Sequence, residues 1–109
     1  MATQKETIEF ILEKLRNRKR FSTRAMFGEY ALYADGKVVA LVCDDQMYVK
    51  ILPASAQLEN ICEKGAPYPG AKQHYIVDEA QLSIVEELPE ILCAISESLP
   101  EKKQIKRQK

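Results

Sequence analysis

The chain has no tryptophan, one histidine, three cysteines, four glycines and five prolines among its 109 residues. Each scarcity excludes something. His74 is the sole imidazole, and Cys43, Cys62 and Cys93 lie too far apart for a Cys-x-x-Cys pair, so no zinc pattern can be built from them. Three is also an odd number, and no disulfide framework is expected. Each cysteine adjoins an apolar residue (Val42, Ile61, Leu92), which reads as a buried small hydrophobe. The longest apolar run, Val38 to Cys43, falls far short of the roughly 20 residues a membrane span needs. The opening Met-Ala-Thr-Gln-Lys lacks the basic-then-apolar plan of a secretory leader. A cytoplasmic protein with no membrane partner is the expectation.

Chemistry-bearing motifs are equally sparse. There is no glycine-rich phosphate loop and no Gly-x-Ser-x-Gly elbow. A Cys–His nucleophile would have to bring His74 to one of three apolar-flanked thiols. The adjacent carboxylates Asp44 and Asp45 fall in a turn, where aspartate serves the backbone more often than a metal. The chain therefore reads as a non-enzyme with no cofactor and no metal.

What is present is a normal globular balance, 46% apolar and 29% charged. It supports one domain over residues 1–100, followed by a disordered basic tail at 101–109 with Ile105 as its sole apolar residue. The 16 basic and 16 acidic residues cancel, but unevenly. Lys14, Arg16, Arg18, Lys19, Arg20 and Arg24 form a stretch without an acid. Asp78 to Glu101 carries Asp78, Glu79, Glu86, Glu87, Glu90, Glu97 and Glu101 without a base, and Lys102, Lys103, Lys106, Arg107 and Lys109 follow. Without the tail the chain is acidic, unlike a general nucleic-acid binder.

Ile8, Ile11, Leu12 and Leu15 make the stripe of an amphipathic helix over Gln4 to Arg18, with Thr3 and Glu6 at capping-box spacing. From Arg24 the period is two: Met26, Gly28, Tyr30, Leu32 and Ala34 alternate with Phe27, Glu29, Ala31 and Tyr33. This puts Phe27 and Tyr33 on one face, Tyr30 on the other, and Gly28 at a bulge or close backbone approach. Asp35-Gly36 predicts a tight hairpin turn, and Val38 to Cys43 a central strand covered on its faces. A third strand follows at Met47 to Leu52. Pro53 stops it, and a short helix is expected over Ala54 to Lys64, ended by Gly65. Residues 66–71, Ala-Pro-Tyr-Pro-Gly-Ala, must be a shaped loop. His74 to Val77 is a fourth strand, and Leu88, Ile91, Leu92, Ile95 and Leu99 mark a last helix from Leu88 to before Pro100. The fold class is α+β: a two-layer sandwich of an antiparallel sheet, a three-strand meander plus a fourth strand, with helices packed on it.

Arg24-Ala25-Met26-Phe27-Gly28-Glu29-Tyr30-Ala31-Leu32-Tyr33, Asp35-Gly36-Lys37, and Ala40 to Asp45 with Met47-Tyr48-Val49-Lys50 together resemble the N-terminal domain of the TfoX/Sxy family. The loop with Pro67, Tyr68 and Gly70, and His74-Tyr75 after it, are similar too; Ala31 stands where the family commonly has glycine. The resemblance implies a secretion-chaperone-like sandwich and a regulator of bacterial competence, that is, of DNA transformation. It implies a protein partner, the cyclic AMP receptor protein or another transcription component, engaged by contact. Many relatives carry a helical second domain after this one.

Three functions compete. The first is a protein-interaction module of transcription regulation whose candidate surface is Arg16, Arg18, Lys19, Arg20 and Arg24. Opposed basic and acidic patches of this kind also suit self-association. The second is direct nucleic-acid binding by the same basic patch at residues 14–24, which in the first reading makes only weak, non-specific contact. The third is a small enzyme around His74, Tyr75 and Cys62.

Overall fold

The computed structural model describes residues 3–15, 20–26, 28–78, 81–82 and 86–99. The apolar stripe at the N-terminus forms α1, Lys5–Leu15, which buries Ile8, Ile11 and Leu15. Its N-terminus is not held by the expected Thr3–Glu6 box. Asp45, from a distant turn, accepts hydrogen bonds from the Gln4 backbone N–H and the Thr7 hydroxyl, both at 2.8 Å. A carboxylate there satisfies orphan donors and faces the positive end of the helix dipole. Thr3 is committed elsewhere: its hydroxyl lies 2.6 Å from Glu29 Oε1 and 3.1 Å from the Val42 carbonyl, and it accepts from Asp45 N–H.

Six strands follow, β1 Phe21–Met26, β2 Glu29–Ala34, β3 Lys37–Cys43, β4 Gln46–Lys50, β5 Glu63–Gly65 and β6 His74–Val77. They make one antiparallel sheet in the order β1-β2-β3-β4-β6-β5. Residues 21–34 are thus a hairpin rather than one strand with a bulge. Met26 pairs with Glu29, and Gly28, at φ +83°, sits in the turn, which corrects its expected place inside a strand. The meander accordingly has four strands rather than three. Asp35 and Gly36 (φ 54° and 84°) and Asp44 and Asp45 (φ 54° and 61°) make the next two turns, both with the left-handed backbone that primed hairpin turns require.

The expected helix at residues 54–64 is replaced by a 3-10 helix, Pro53–Leu58, and then β5, so Gly65 belongs to a strand and caps nothing. Ser55 fixes this connection: its buried hydroxyl donates to the Lys50 carbonyl at 2.7 Å and accepts from Leu52 N–H at 2.9 Å. The last helix, α2 Leu88–Ser98, forms as expected and buries Leu88, Ile91, Leu92 and Ile95. The expected tail at 101–109 lies outside the described residues. No described helix is long and apolar enough to cross a membrane.

Both helices pack on the same sheet face. The core joins Ile8, Ile11, Leu15, Ile91, Leu92 and Ile95 to Phe21, Leu32, Ala34, Val39, Ala40, Val42, Met47, Val49, Tyr75 and Val77. The α+β class and the two-layer arrangement follow directly. A register shift between Leu32 and Tyr33 turns the adjacent Val39 and Ala40 both inward. The expectation that β3 is covered on its faces is corrected: Val38 and Leu41 point to the far side of the sheet and remain partly exposed.

Candidate interaction surface

Of the basic cluster, Arg16, Arg18 and Lys19 lie outside the described residues. Arg20 and Arg24 are placed at opposite ends of the situation a cation can meet. The Arg20 guanidinium donates to Asp35 through Nε (3.1 Å) and through Nη2, and Glu97 Oε2 lies 3.7 Å away. That hydrogen-bonded pairing with Asp35 holds the Asp35 carboxyl below, and the guanidinium above, their ordinary values. Arg24, on β1 at the sheet edge, is exposed and has no ion-pair partner among the described residues.

The Asp35-Gly36-Lys37 motif is a clasp between sheet and helix. Asp35 holds Arg20, while Lys37 Nζ donates to the Ser96 and Leu99 carbonyls at 3.0 and 3.2 Å. These are end-of-helix carbonyls of α2, where a cation also meets the negative end of the dipole. Ser96 Oγ completes the clasp by donating to the Ala34 carbonyl at 2.9 Å.

The other motif residues divide by face. Tyr30 packs against the core and Tyr33 lies on the far side, as alternation predicts; Phe27 is outside the described residues. In the loop, Ala71 N–H bonds the Tyr68 carbonyl at 3.1 Å around Pro69-Gly70, with Gly70 at φ +88°. Positive φ at the second central position, with proline at the first, suits a type II turn. The turn leaves the Tyr68 ring 56% exposed, and Pro67 half-buried beside it in sequence. Lys50 ends β4 on the far face, paired with His74.

That far face is a site the sequence reading missed. Register places Arg24, Ala31, Leu41, Tyr48, Ile76 and Glu63 in one row across all six strands. Tyr33 beside Val38, and Lys50 beside His74, form the next row. Leu41, Tyr48, Ile76, Tyr33 and Val38 are all partly exposed, and Met26 at the edge is 41% exposed. Among the described residues, no helix contributes a buried side chain to this face. The signal in the sequence is the unbroken apolar run of β3, which fits an apolar open face as well as burial on both faces.

Of the three residues in the small-enzyme reading, His74 is turned away from the other two. Tyr75 and Cys62 belong to the core, whereas His74 points to the far face with Nδ1 2.9 Å from the Lys72 carbonyl. The Tyr75 hydroxyl donates to Glu59, which also receives Lys64 Nζ at 2.9 Å; Lys64 chiefly, then Tyr75, holds the Glu59 carboxyl down. Burial pushes all three thiols up, away from thiolate reactivity. An open groove of about 550 Å³ between α1 and the β3–β4 turn is lined by Phe10, Met47 and Leu82 with Glu6, Asp45 and Asp78. No cluster of metal-ligating residues occurs among the described residues.

Comparison with known proteins agrees with the motif pattern. A sequence model of the TfoX N-terminal domain matches residues 13–91. A protein of Spirochaeta aurantia, an uncharacterized 12.7 kDa protein in the trpE 5' region, is 39% identical over 89 residues, 82% of this chain and 74% of its own length. The match spans the hairpin, the Asp-Gly-Lys clasp, the proline loop and the first turn of α2. This chain belongs to the TfoX N-terminal domain family.

Proposed function

We propose that the chain is a non-enzymatic protein-contact module of transcription regulation, of the competence type, working in the cytoplasm. Its partner in this reading is the cyclic AMP receptor protein or another transcription component, and it does not read DNA alone. The observation that carries the reading is the engagement of Arg20. A phosphate would have to displace both Asp35 and Glu97 from a cation in the middle of the basic stretch. Neither helix offers a uniformly positive face either: α1 interleaves Glu6, Glu9 and Glu13 with Lys5 and Lys14, and α2 exposes Glu90 and Glu97. Groove binding draws most of its affinity from phosphate neutralisation, which such faces do not supply. Arg24 remains for weak, salt-sensitive duplex contact.

Sedimentation of the labelled chain with the receptor protein, cyclic AMP and a competence-promoter duplex tests the proposal. At about 200 mM salt the chain is expected to co-migrate when the receptor is present and to remain free with the duplex alone. Tight binding to the duplex alone, with none to the receptor, overturns it.

A further inference from the structure

We infer that the open face of the sheet seats a second copy of this chain in a two-fold dimer. This concerns self-association and stands apart from the regulatory reading.

The central row runs cation, four apolar residues, anion: Arg24, Ala31, Leu41, Tyr48, Ile76, Glu63. Such a row is complementary to its own reverse. A two-fold axis lying in the interface, parallel to the strands and between β3 and β4, turns the face over and reverses the row. Arg24 of one copy then lies over Glu63 of the other, twice. Ile76 lies over the low point of the row at Ala31, whose own side chain is buried, and Leu41 lies over Tyr48, so apolar surface faces apolar surface. In the flanking row Tyr33 meets His74. No like charges of these rows are opposed.

Geometry permits the contact. Aligned sheets pack about 10 Å apart and within about 30° of parallel. An extended arginine and an extended glutamate together reach across that gap. Both residues are exposed on edge strands, and neither has an ion-pair partner among the described residues. Isologous contacts of this kind are the commonest form of protein self-association. Six strands at about 4.8 Å span about 24 Å, and the few rows available bury on the order of 800 Å² in total, below the roughly 1,200 Å² of stable specific interfaces and in the range of weak, transient encounters. The dimer is therefore reversible.

Sedimentation equilibrium of the full chain from about 5 µM to about 0.5 mM reads the dissociation constant directly. The expected result is a monomer–dimer equilibrium within that range. Arg24→Glu and Glu63→Arg each oppose like charges at both ends of the row and weaken it roughly tenfold or more. The double variant restores it. Leu41→Glu, at the centre, abolishes it, with thermal melts confirming that the variant folds; the two edge variants carry the test if it does not. A chain monomeric throughout overturns the inference, and so does a dimer indifferent to the edge reversals or not rescued by the double exchange.

Discussion

Gly28 shows what a single backbone angle decides. At φ +83° in the β1–β2 turn it occupies the left-handed region, where a side chain costs about 1–2 kcal/mol and a β-branched one more. Gly28→Val is expected to lower the denaturant midpoint clearly, whereas Gly28→Asn, tolerant of that region, loses much less. Equal loss from both would show that the angle is not the cause. Alternation that runs unbroken from Met26 to Ala34 points to a bulge or a close backbone approach at this glycine, and gives no sign of the turn it occupies. The Asp45 cap was hidden for a related reason: it joins residues 41 and 38 positions apart. Its consequence is a pH dependence. Backbone and side-chain hydrogen bonds hold Asp45, and the Thr3 hydroxyl holds Glu29, below their usual 3.8 and 4.5. Groups whose folded values are depressed stabilise fully above the unfolded values, and that stability is lost as pH falls through the folded ones. Melting temperature should stay level down to about pH 5 and then fall. Asp45→Asn and Glu29→Gln should each flatten that acid limb; an unchanged limb in both would remove these carboxylates from the account.

At the scale of elements, the connection between β4 and β6 turns on Ser55. Its hydroxyl is fully buried and bonded on both sides, so Ser55→Ala leaves the Lys50 carbonyl and Leu52 N–H short of a partner. The expected cost is about 1–3 kcal/mol in equilibrium unfolding; a variant within about 0.5 kcal/mol of the parent, as surface changes are, would contradict it. The expected helix over residues 54–64 failed here. Leu58, Ile61 and Cys62 have helical spacing, but the chain gains more by closing a 3-10 turn on Ser55 and pairing β5 with β6, a choice no local pattern records. The elements that were legible, α1, the β2–β3 hairpin, β6 and α2, are those whose period or turn residues act locally. The Asp-Gly-Lys motif was legible as a turn, while its role as a clasp on α2 depends on residues about 60 positions away.

For the whole molecule, the sum of charges matters less than where each is held. The sequence presents the basic stretch as one patch. In the fold its Arg20 is held by Asp35 of the β2–β3 turn, with Glu97 of α2 3.7 Å away, while Arg24 stands apart on the sheet edge. The open face was illegible because the run in β3 gives no alternation, and only the pairing of six strands aligns Leu41 with Tyr48 and Ile76. The proposed mode of action, protein contact instead of base reading, is tested most directly by a titration of the chain against a competence-promoter duplex and a scrambled duplex at about 50 and about 200 mM salt, the range over which phosphate-driven affinity collapses. Weak binding to both, without preference and gone at the higher salt, is the predicted result. Binding that prefers the promoter sequence and survives the higher salt would contradict the account.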